Sequence, residues 1–584
     1  MHTKPTHKAN FAKEPNLPPS ILTILQKFLP AMRIDRIIIQ NYKSIKNTDL
    51  RCSPKMNAFI GENSVGKSNI FDAMNWLLGS TYPTFNYTSA IDHYLGDIEN
   101  KIKIELIFSD GNTLCLDETG FSGKPGLLYS GSQNKAIKDE FRVAKYGTAC
   151  LGVDRRIVDY LPSNRWSLMG RMLLEVNELF KEEEITDPET GEILGKPDYF
   201  KQQLEKIRDE VLFTVEDNHG NQVMKRFIEI LQKESAKQLN RPEGDFKVDL
   251  NLYDPWNFYR TLQVIVHEAD INLSFQASNL GMGVQASISI AILKAYSQIK
   301  LRNSTPLFID EPELFLHPQA QRNFYKVLCE VAENGTQIFY TTHSPDFLTV
   351  GRFNEIFLVR KNAGDGTYVR SSKPADFVTD LKIRNNIDAT SDEIMLQYKN
   401  AYEETGDTQK ANEAFFAKKV ILVEGQSESL CLPYLFGKMN YDYIAKGVTL
   451  VRCGDKNDLD RFYRLYTEFG IPCFIIFDGD RQHEGTDDAA ETIRKNREIL
   501  SLFGAAVDFP DNIVQEKYLG FERTFNQNLN FVSKEKGLKL FKQVRNEITI
   551  AEQVPQWVQE VISRIEALQD NTPGILRKPS AAIV

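Results

Sequence analysis

The sequence predicts an α/β protein made of a P-loop ATPase head carrying a helical insertion, followed by a smaller α/β domain with a parallel sheet. Three observations predict it. The octet Gly61-Glu62-Asn63-Ser64-Val65-Gly66-Lys67-Ser68 lies between an apolar run, Met56 to Ile60, and a stretch of helical spacing, Asn69 to Gly79. A second apolar run, Leu307 onward, ends in Asp310-Glu311. Near the C-terminus, short apolar strands at 419–423, 448–451 and 473–477 alternate with helical stretches, the order of a parallel sheet.

A chain of 584 residues is too long for one core, and about three to four domains are expected. No run of about 18 apolar residues occurs, so no membrane span or membrane partner is expected. The seven cysteines, at 52, 115, 150, 329, 431, 453 and 473, form no CxxC pair. That disfavours a zinc knuckle or a disulfide framework and fits a reducing cytoplasm. The net charge of −9 excludes a general polyanion binder, so any nucleic-acid surface must be a local basic patch.

In chain order, residues 1–31 are rich in proline and lysine and are expected to be a flexible extension. Arg33 to Gln40 alternates and reads as a strand, as does Ile102 to Phe108. These belong to the first part of the ATPase, 32–165. Residues 166–262 are charged and mostly helical in pattern, with a turn at Asp187 to Gly195, and are expected to be a helical insertion used for dimerisation. The second part of the ATPase spans 263–375 and contains the strands Leu307 to Asp310 and Gln337 to Thr341. Residues 376–417 are expected to link it to the final domain, 418–584.

The P-loop context is strand, loop, helix. Glycines let backbone N–H groups wrap phosphates at a helix N-terminus. Gly61, Asn63, Gly66, Lys67, Ser68 and Asn69 are the expected ATP-binding positions. Lys67 would reach the β- and γ-phosphates and Ser68 would hold Mg²⁺. In Phe308-Ile309-Asp310-Glu311-Pro312-Glu313, Asp310 would supply the second Mg²⁺ contact and Glu311 would polarise the attacking water. An acidic pair at a strand end can also cap a helix. The strand 337–341 leads to His343, placed to sense the γ-phosphate. Between them, Gly281, Gly283 and Gln285 (Leu280-Gly281-Met282-Gly283-Val284-Gln285) open a helix, Ala286 to Tyr296, and offer N–H groups to a phosphate.

Together these motifs resemble the SMC/RecF-like branch of ABC-type ATPases. The resemblance implies ATP held between two heads, with Gly281 to Gln285 reading the γ-phosphate of the opposite subunit, and hence a homodimer or higher homo-oligomer. The span from Lys67 to Asp310 is too short for a long SMC-type coiled coil, and no sustained heptads appear.

In the final domain, Val420 to Gly425 is a buried-type strand ending at Glu424, and Glu428 follows one helical turn later. Phe474 to Phe477 ends in Asp478-Gly479-Asp480, whose i and i+2 positions share a face. Oxygen-only clusters of this kind suit Mg²⁺ or Mn²⁺ rather than zinc, and two such ions can drive phosphodiester cleavage. Neither ExxxE nor DxD is specific alone; the strand-end placement and the turn Arg452-Cys453-Gly454-Asp455-Lys456 between them give the order weight.

That order resembles a TOPRIM domain of Rossmann-like fold. An ABC-type head followed by TOPRIM resembles the OLD (overcoming lysogenization defect) nuclease family, over roughly Met32 to the C-terminus. The resemblance implies catalytic metal at Glu424, Asp478 and Asp480, and metal-dependent cleavage or nicking of DNA in defence against phage. It also implies a second-metal acid at Glu522 and a charge-stabilising lysine at Lys578, with Lys456 as the rival. Arg165 is matched to a family arginine. The family acts alone, with a helicase-like partner in Gabija systems, or as retron effectors beside a reverse transcriptase and its DNA–RNA product. Alternative readings are an ATP-dependent DNA clamp or repair protein without nuclease activity, a topoisomerase, and a TOPRIM nuclease acting on RNA.

Overall fold

The computed structural model describes residues 32–79, 81–121, 124–129, 146, 149–151, 161, 167–239, 242, 253–268, 272–298, 306–362, 364–372, 390–404, 408–529, 531 and 533–569. The expected extension 1–31, Arg165, Lys578 and part of the expected link 376–417 lie outside the described residues. The chain divides into two compact units. One comprises Met1–Met32, Arg156–Leu280 and Ala291–Thr305; the other comprises Arg33–Arg155, Gly281–Ile290 and Pro306–Val584.

The ATPase begins with the antiparallel pair β1 (Ile34–Tyr42) and β2 (Ile45–Arg51). β3 (Met56–Ile60), buried throughout, feeds the P-loop and α1 (Lys67–Leu78). β4 (Lys103–Phe108), β5 (Thr113–Phe121) and β6 (Lys124–Tyr129) extend the sheet beside β1 as an antiparallel meander, and β7 (Ala149–Leu151) follows.

The segment expected to be a helical insertion holds α2 (Leu168–Glu182), α3 (Lys196–Ile207), α4 (Val223–Leu239) and the short α5 (Trp256–Tyr259). Ser167 caps α2 by accepting from the Gly170 N–H at 2.9 Å. Phe180, Phe200 and Phe258 pack edge to face between α2, α3 and α5. One antiparallel pair departs from the helical expectation within 166–262, and a second lies just beyond it. The turn at 187–195 is a hairpin, β8 (Glu184–Thr186) with β9 (Ile193–Gly195), and β10 (Ile265–Glu268) pairs with β11 (Leu273–Gln276). The hairpin forms because Asp187 accepts the N–H groups of Glu189 and Thr190, and Gly191 takes φ 74°. On α4, Val223, Phe227, Ile230 and Leu231 share one face and are 39–54% exposed.

α6 (Met282–Gln298), β12 (Leu307–Ile309), α7 (Pro318–Glu333), β13 (Ile338–Thr342), β14 (Ile356–Asn362) and β15 (Gly366–Ser371) complete the head. α6 starts earlier than the expected Ala286, so Gly283 and Gln285 lie inside its first turn. The eleven strands run in the order β6-β5-β4-β1-β2-β15-β14-β3-β13-β12-β7. β14, β3, β13, β12 and β7 are mutually parallel; the rest are antiparallel. Open parallel sheets bind ligands beyond their strand C-termini, and β3, β12 and β13 all deliver motif residues there. Gln337 bolts the sheet together: its side chain accepts from the Ile34 N–H at 2.8 Å and donates to the carbonyls of Ile34 and Ser53.

The described part of the expected link is helical and packed. α8 (Ser391–Glu404) and α9 (Thr408–Glu413) are anchored by Tyr402, which donates to the Arg461 carbonyl, and by Tyr466, which donates to the Ala411 carbonyl at 2.7 Å. The last domain runs β16 (Lys419–Val423), α10 (Gln426–Lys438), β17 (Val448–Arg452), α11 (Lys456–Glu468), β18 (Cys473–Asp478), α12 (Ala489–Ser501), β19 (Tyr518–Phe521), α13 (Gly537–Glu547) and α14 (Gln556–Ala567). Its strands are all parallel, in the order β17-β16-β18-β19. The expected strands are present, and β19 is an addition.

Candidate active sites

The first site is built on the loop between β3 and α1. Gly66 is the N-cap of α1 at φ 106°, and Gly61 takes φ 146°. A Cβ at Gly61 would strike the Val359 carbonyl, and one at Gly66 would strike the Thr367 hydroxyl. The floor of the loop is therefore β14 and β15. Thr367 donates to the Val65 carbonyl at 2.6 Å and shares a 2.7 Å hydrogen bond with Ser44, which accepts from Asn69 at 2.6 Å. This cradle, closed to any side chain, fits the wrapping of a phosphate chain by backbone N–H groups.

Lys67, 6% exposed, donates to the carbonyls of Gly61 and Glu62 and to His343 Nε2, all at 2.9 Å. Burial pulls its pKa down to about 8, against the charges of Glu311, Asp310 and Glu313. Burial and Lys67 lower the His343 pKa, so the imidazole is neutral and accepts at Nε2. His343 also lies 3.4 Å from Glu311. Asp310 accepts from the Thr341 hydroxyl, which accepts in turn from the Glu311 N–H at 3.0 Å. Thr341 of β13 thus orients both acids that end β12. Glu313 accepts the His343 N–H through one oxygen; its other oxygen is buried without a hydrogen-bond partner, and burial raises its pKa. Lys67, Asp310, Glu311 and His343 are brought together as the spacing predicts. Asn63 on the loop and Ser68 in the first turn of α1 are exposed. Gly281 precedes α6, and Gln285 is buried in its first turn.

The second site lies at the C-terminal ends of β16 and β18. Glu424 accepts the Asp478 N–H at 3.4 Å, and Glu428, 4% exposed, accepts the Gly425 N–H at 3.0 Å. Asp478 accepts the Phe525 N–H at 2.7 Å. Burial pushes the Glu424 pKa up to about 7, with Asp480 and Glu428 adding and Lys456 opposing. Burial, then the charges of Glu428, Glu424 and Asp480, raise Asp478 well above the carboxylate range. Asp480 sits in the left-handed region at φ 54° and accepts from Lys456 at 2.7 Å and Gln482 at 2.8 Å. Lys456, itself buried, also donates to Asn496 at 3.2 Å, and Asn496 donates to the carbonyls of Gly479 and Asp508.

Among the described residues, no three His, Cys, Asp or Glu side chains close tightly enough to hold an ion as they stand. Glu428 and Asp478 are held by backbone N–H groups, and Asp480 by Lys456. The donor set nevertheless fits a hard divalent cation: oxygen-only, at least partly buried, and mutually repulsive in a way that positive charge relieves. Glu522, expected as a further ligand, follows β19, but its carboxylate is 39% exposed and accepts from Arg481 at 2.6 Å. Glu424, Glu428 and Asp478 line a cleft of about 240 Å³, together with Gly425, Gln426, Ser427, Thr524, Asn526, Lys536 and Gly537.

Comparison with known families agrees with this geometry. Residues 32–148 and 128–348 match the AAA ATPase domain family. The chain belongs to that family. Residues 415–480 match the TOPRIM domain of overcoming lysogenization defect protein-like proteins. Across most of its length, this ATPase–TOPRIM protein is similar to three curated relatives. It is 27% identical to an OLD nuclease of Thermus scotoductus, covering 84% of this chain and 92% of the relative. It is 24% identical to the Old nuclease of Escherichia phage P2, covering 77% of each. It is 21% identical to the endonuclease GajA of Bacillus cereus, covering 88% of this chain and 86% of the relative.

The sequence reading of this ATPase–TOPRIM protein passed over several residues that build the sites. Thr341, Thr367 and Ser44 shape the nucleotide cradle; Asn496 and Lys536 shape the carboxylate site. Thr341 and Glu313 stand inside motifs that were legible. Thr367, Asn496 and Lys536 carry no local signal, because only the chain's return brings them near.

Proposed function

We propose that this chain is an ATP-binding and hydrolysing, divalent-metal-dependent endonuclease that cleaves or nicks DNA in defence against phage. The observation that carries this reading is the clustered set Glu424, Glu428, Asp478 and Asp480, Glu428 buried and the others partly buried, at the strand ends of a TOPRIM sheet, in one chain with a formed P-loop cradle. Nuclease names on relatives that match most of the chain add support.

At the first site, Lys67 exchanges its loop carbonyls for the β- and γ-phosphates. Ser68 and Asp310 would hold Mg²⁺, which when bound would neutralise phosphate charge; Glu311 would orient the attacking water, and His343, released from Lys67, would sense the γ-phosphate. Gly281 and Gly283, exposed at the start of α6, would face the nucleotide of a second copy, with the buried Gln285 behind them, which makes the working form at least a homodimer. The apolar face of α4 is suited to such an assembly.

At the second site, Glu424, Glu428, Asp478 and Asp480 would hold Mg²⁺ or Mn²⁺, which when bound activates water and neutralises developing charge. Lys456 and Asn496 fix the Asp480 side chain and the Gly479 carbonyl, so the DxD turn is set before substrate arrives. Nothing in this chemistry requires or forbids a 2′-hydroxyl, so RNA is the alternative substrate.

The test pairs two variants against plasmid DNA, linear duplex and tRNA, with Mg²⁺ or Mn²⁺. Asp478→Ala should abolish cleavage and keep ATP binding; Lys67→Ala should lose ATP binding and leave the carboxylate site intact. Cleavage at the wild-type rate by Asp478→Ala would sink the metal-site assignment. Preference for tRNA would move the substrate to RNA.

A further inference from the structure

Lys536 is the N-cap of α13, and the Lys536–Gly537 turn closes one wall of the carboxylate cleft. Gly537 stands at φ 56°, and its N–H donates to the Ser427 hydroxyl at 3.0 Å at the start of α10. A Cβ at Gly537 would come within 2.7 Å of the Gln426 side-chain oxygen, so the turn is fitted closely against α10. Farther along, Tyr434 of α10 packs edge to face on Phe541 of α13, and its hydroxyl donates to the Ile548 carbonyl at 2.7 Å. α13 therefore runs beside α10 in the same direction, leading away from the cleft.

The exposed side of this helix is mainly basic, with Leu538 and the terminal Glu547 also exposed. Lys534, Lys536, Lys539, Lys542 and Arg545 are all exposed, whereas Leu540 and Val544 face the core. Beyond the N-cap Lys536, the residues Lys539, Lys542 and Arg545 recur every third position, each about 60° round the axis from the last, so they wind across about 120° of the exposed surface. Glu535 is the one acid within 534–545, and it reaches only Lys539, at 3.9 Å. Among the described residues no carboxylate lies within ion-pair distance of Lys536, while its charge acts on Glu428 inside the cleft. This chain is acidic overall, so a local cationic track ending at a carboxylate cleft has a definite complement: a phosphodiester backbone.

The geometry points to α13 as the track that carries a nucleic-acid strand into the cleft, with Lys536 at the lip holding the non-bridging oxygens of the phosphate above Glu424, Glu428 and Asp478. The inference rests on the endonuclease reading and goes beyond it by naming the substrate's path and the lysine that meets it. From Lys536 to Lys542 the helix advances about 9 Å at ~1.5 Å per residue, or about two to three steps of a strand rising ~3.4 Å each. Lys536 acts by hydrogen bonding to charge on the phosphate.

The experiment measures two things on the full-length chain: binding of a labelled DNA duplex and its separated strand in Ca²⁺, and cleavage in Mg²⁺ or Mn²⁺. Lys539→Glu/Lys542→Glu changes only exposed side chains. It should weaken binding at least tenfold at about 0.1 M salt and flatten the slope of log affinity against log salt by about 1.4 to 1.8, the share of two phosphate contacts. ATP hydrolysis and melting temperature should not change. Lys536→Ala should lower kcat about a hundredfold with a smaller effect on binding, and Lys536→Arg should recover part of it. Wild-type affinity and salt slope in the double variant, or wild-type kcat in Lys536→Ala, overturns the inference while Asp478→Ala still reports on the nuclease. A wild-type chain that neither binds nor cuts nucleic acid overturns the endonuclease reading and this inference with it.

Discussion

Burial sets the Lys67 pKa at about 8, so the ammonium that phosphates require is half lost near that pH. A lysine depressed below its unfolded value of 10.5 favours the folded state increasingly as pH rises from about 8 to 10.5. Phosphate binding runs the opposite way, because it needs the proton. ATP affinity should be flat up to pH 7.5 and weaken above pH 8, by at most about tenfold per unit; equal affinity at pH 7 and 9.5 in calorimetric titrations contradicts this. Glu424 is the mirror case. Its pKa is raised to about 7, so the metal-free fold gains stability from this group at low pH and loses it as pH rises from 4.5 through 7. A cation competes with that proton, so the gain in melting temperature on adding Mn²⁺ should be larger at pH 8 than at pH 5.5. At this scale the sequence was informative wherever chemistry sits at a strand end. Lys67, Asp310, His343, Glu424 and Asp478 all announce themselves by following apolar runs. Lys456 was legible only as a rival and Lys536 not at all, since a lysine in a polar loop looks like any solvated lysine until the loop is placed.

At the scale of elements, the DxD turn depends on a residue that ligates nothing. A Cβ at Gly479 would lie 2.5 Å from the Phe521 carbonyl, 2.7 Å from that of Glu522 and 2.7 Å from Pro510. Gly479→Ala should therefore push β18 and β19 apart at the turn and abolish cleavage, as Asp480→Ala would. Nucleotide hydrolysis should persist; cleavage by Gly479→Ala at half the wild-type rate or better argues that the turn tolerates displacement. Asn496, fully buried, makes a parallel case: Asn496→Leu orphans the Gly479 and Asp508 carbonyls at about 1–3 kcal/mol each, read by denaturant unfolding. Most strands of the head and the last domain were legible because buried parallel strands are continuous apolar runs. β19 was missed because Tyr518–Phe521 is four residues long, next to a glycine-, proline- and asparagine-rich stretch. The 187–195 hairpin was read as a turn inside helices because its strands are three residues each, too short to show alternation.

For the whole molecule, the apolar face of α4 sets an expectation about assembly. Phe227→Glu/Ile230→Glu alters two apolar side chains that are each 54% exposed in the single chain. Light scattering after size exclusion should show a smaller particle than wild type, and ATP hydrolysis should fall while nucleotide binding remains. An unchanged particle mass refutes that use of the face. The strand order of the central sheet was beyond sequence reading, because apolar periodicity marks a strand without naming its neighbours. β3 lies between β13 and β14, and Gln337 binds Ile34 across 303 positions.

That arrangement has a consequence for synthesis. The residues closing the underside of the P-loop, Val359 and Thr367, leave the ribosome roughly three hundred residues after the loop itself. Until then Gly61 and Gly66 lack the strands that close beneath them, and β3 lacks its β14 neighbour. A nascent chain halted before β13 exposes the apolar strand of an unfinished sheet and has no site for ATP. Only after β15 emerges does the head become able to recognise nucleotide, by which point translation is within sight of Glu424, the first acid of the second site.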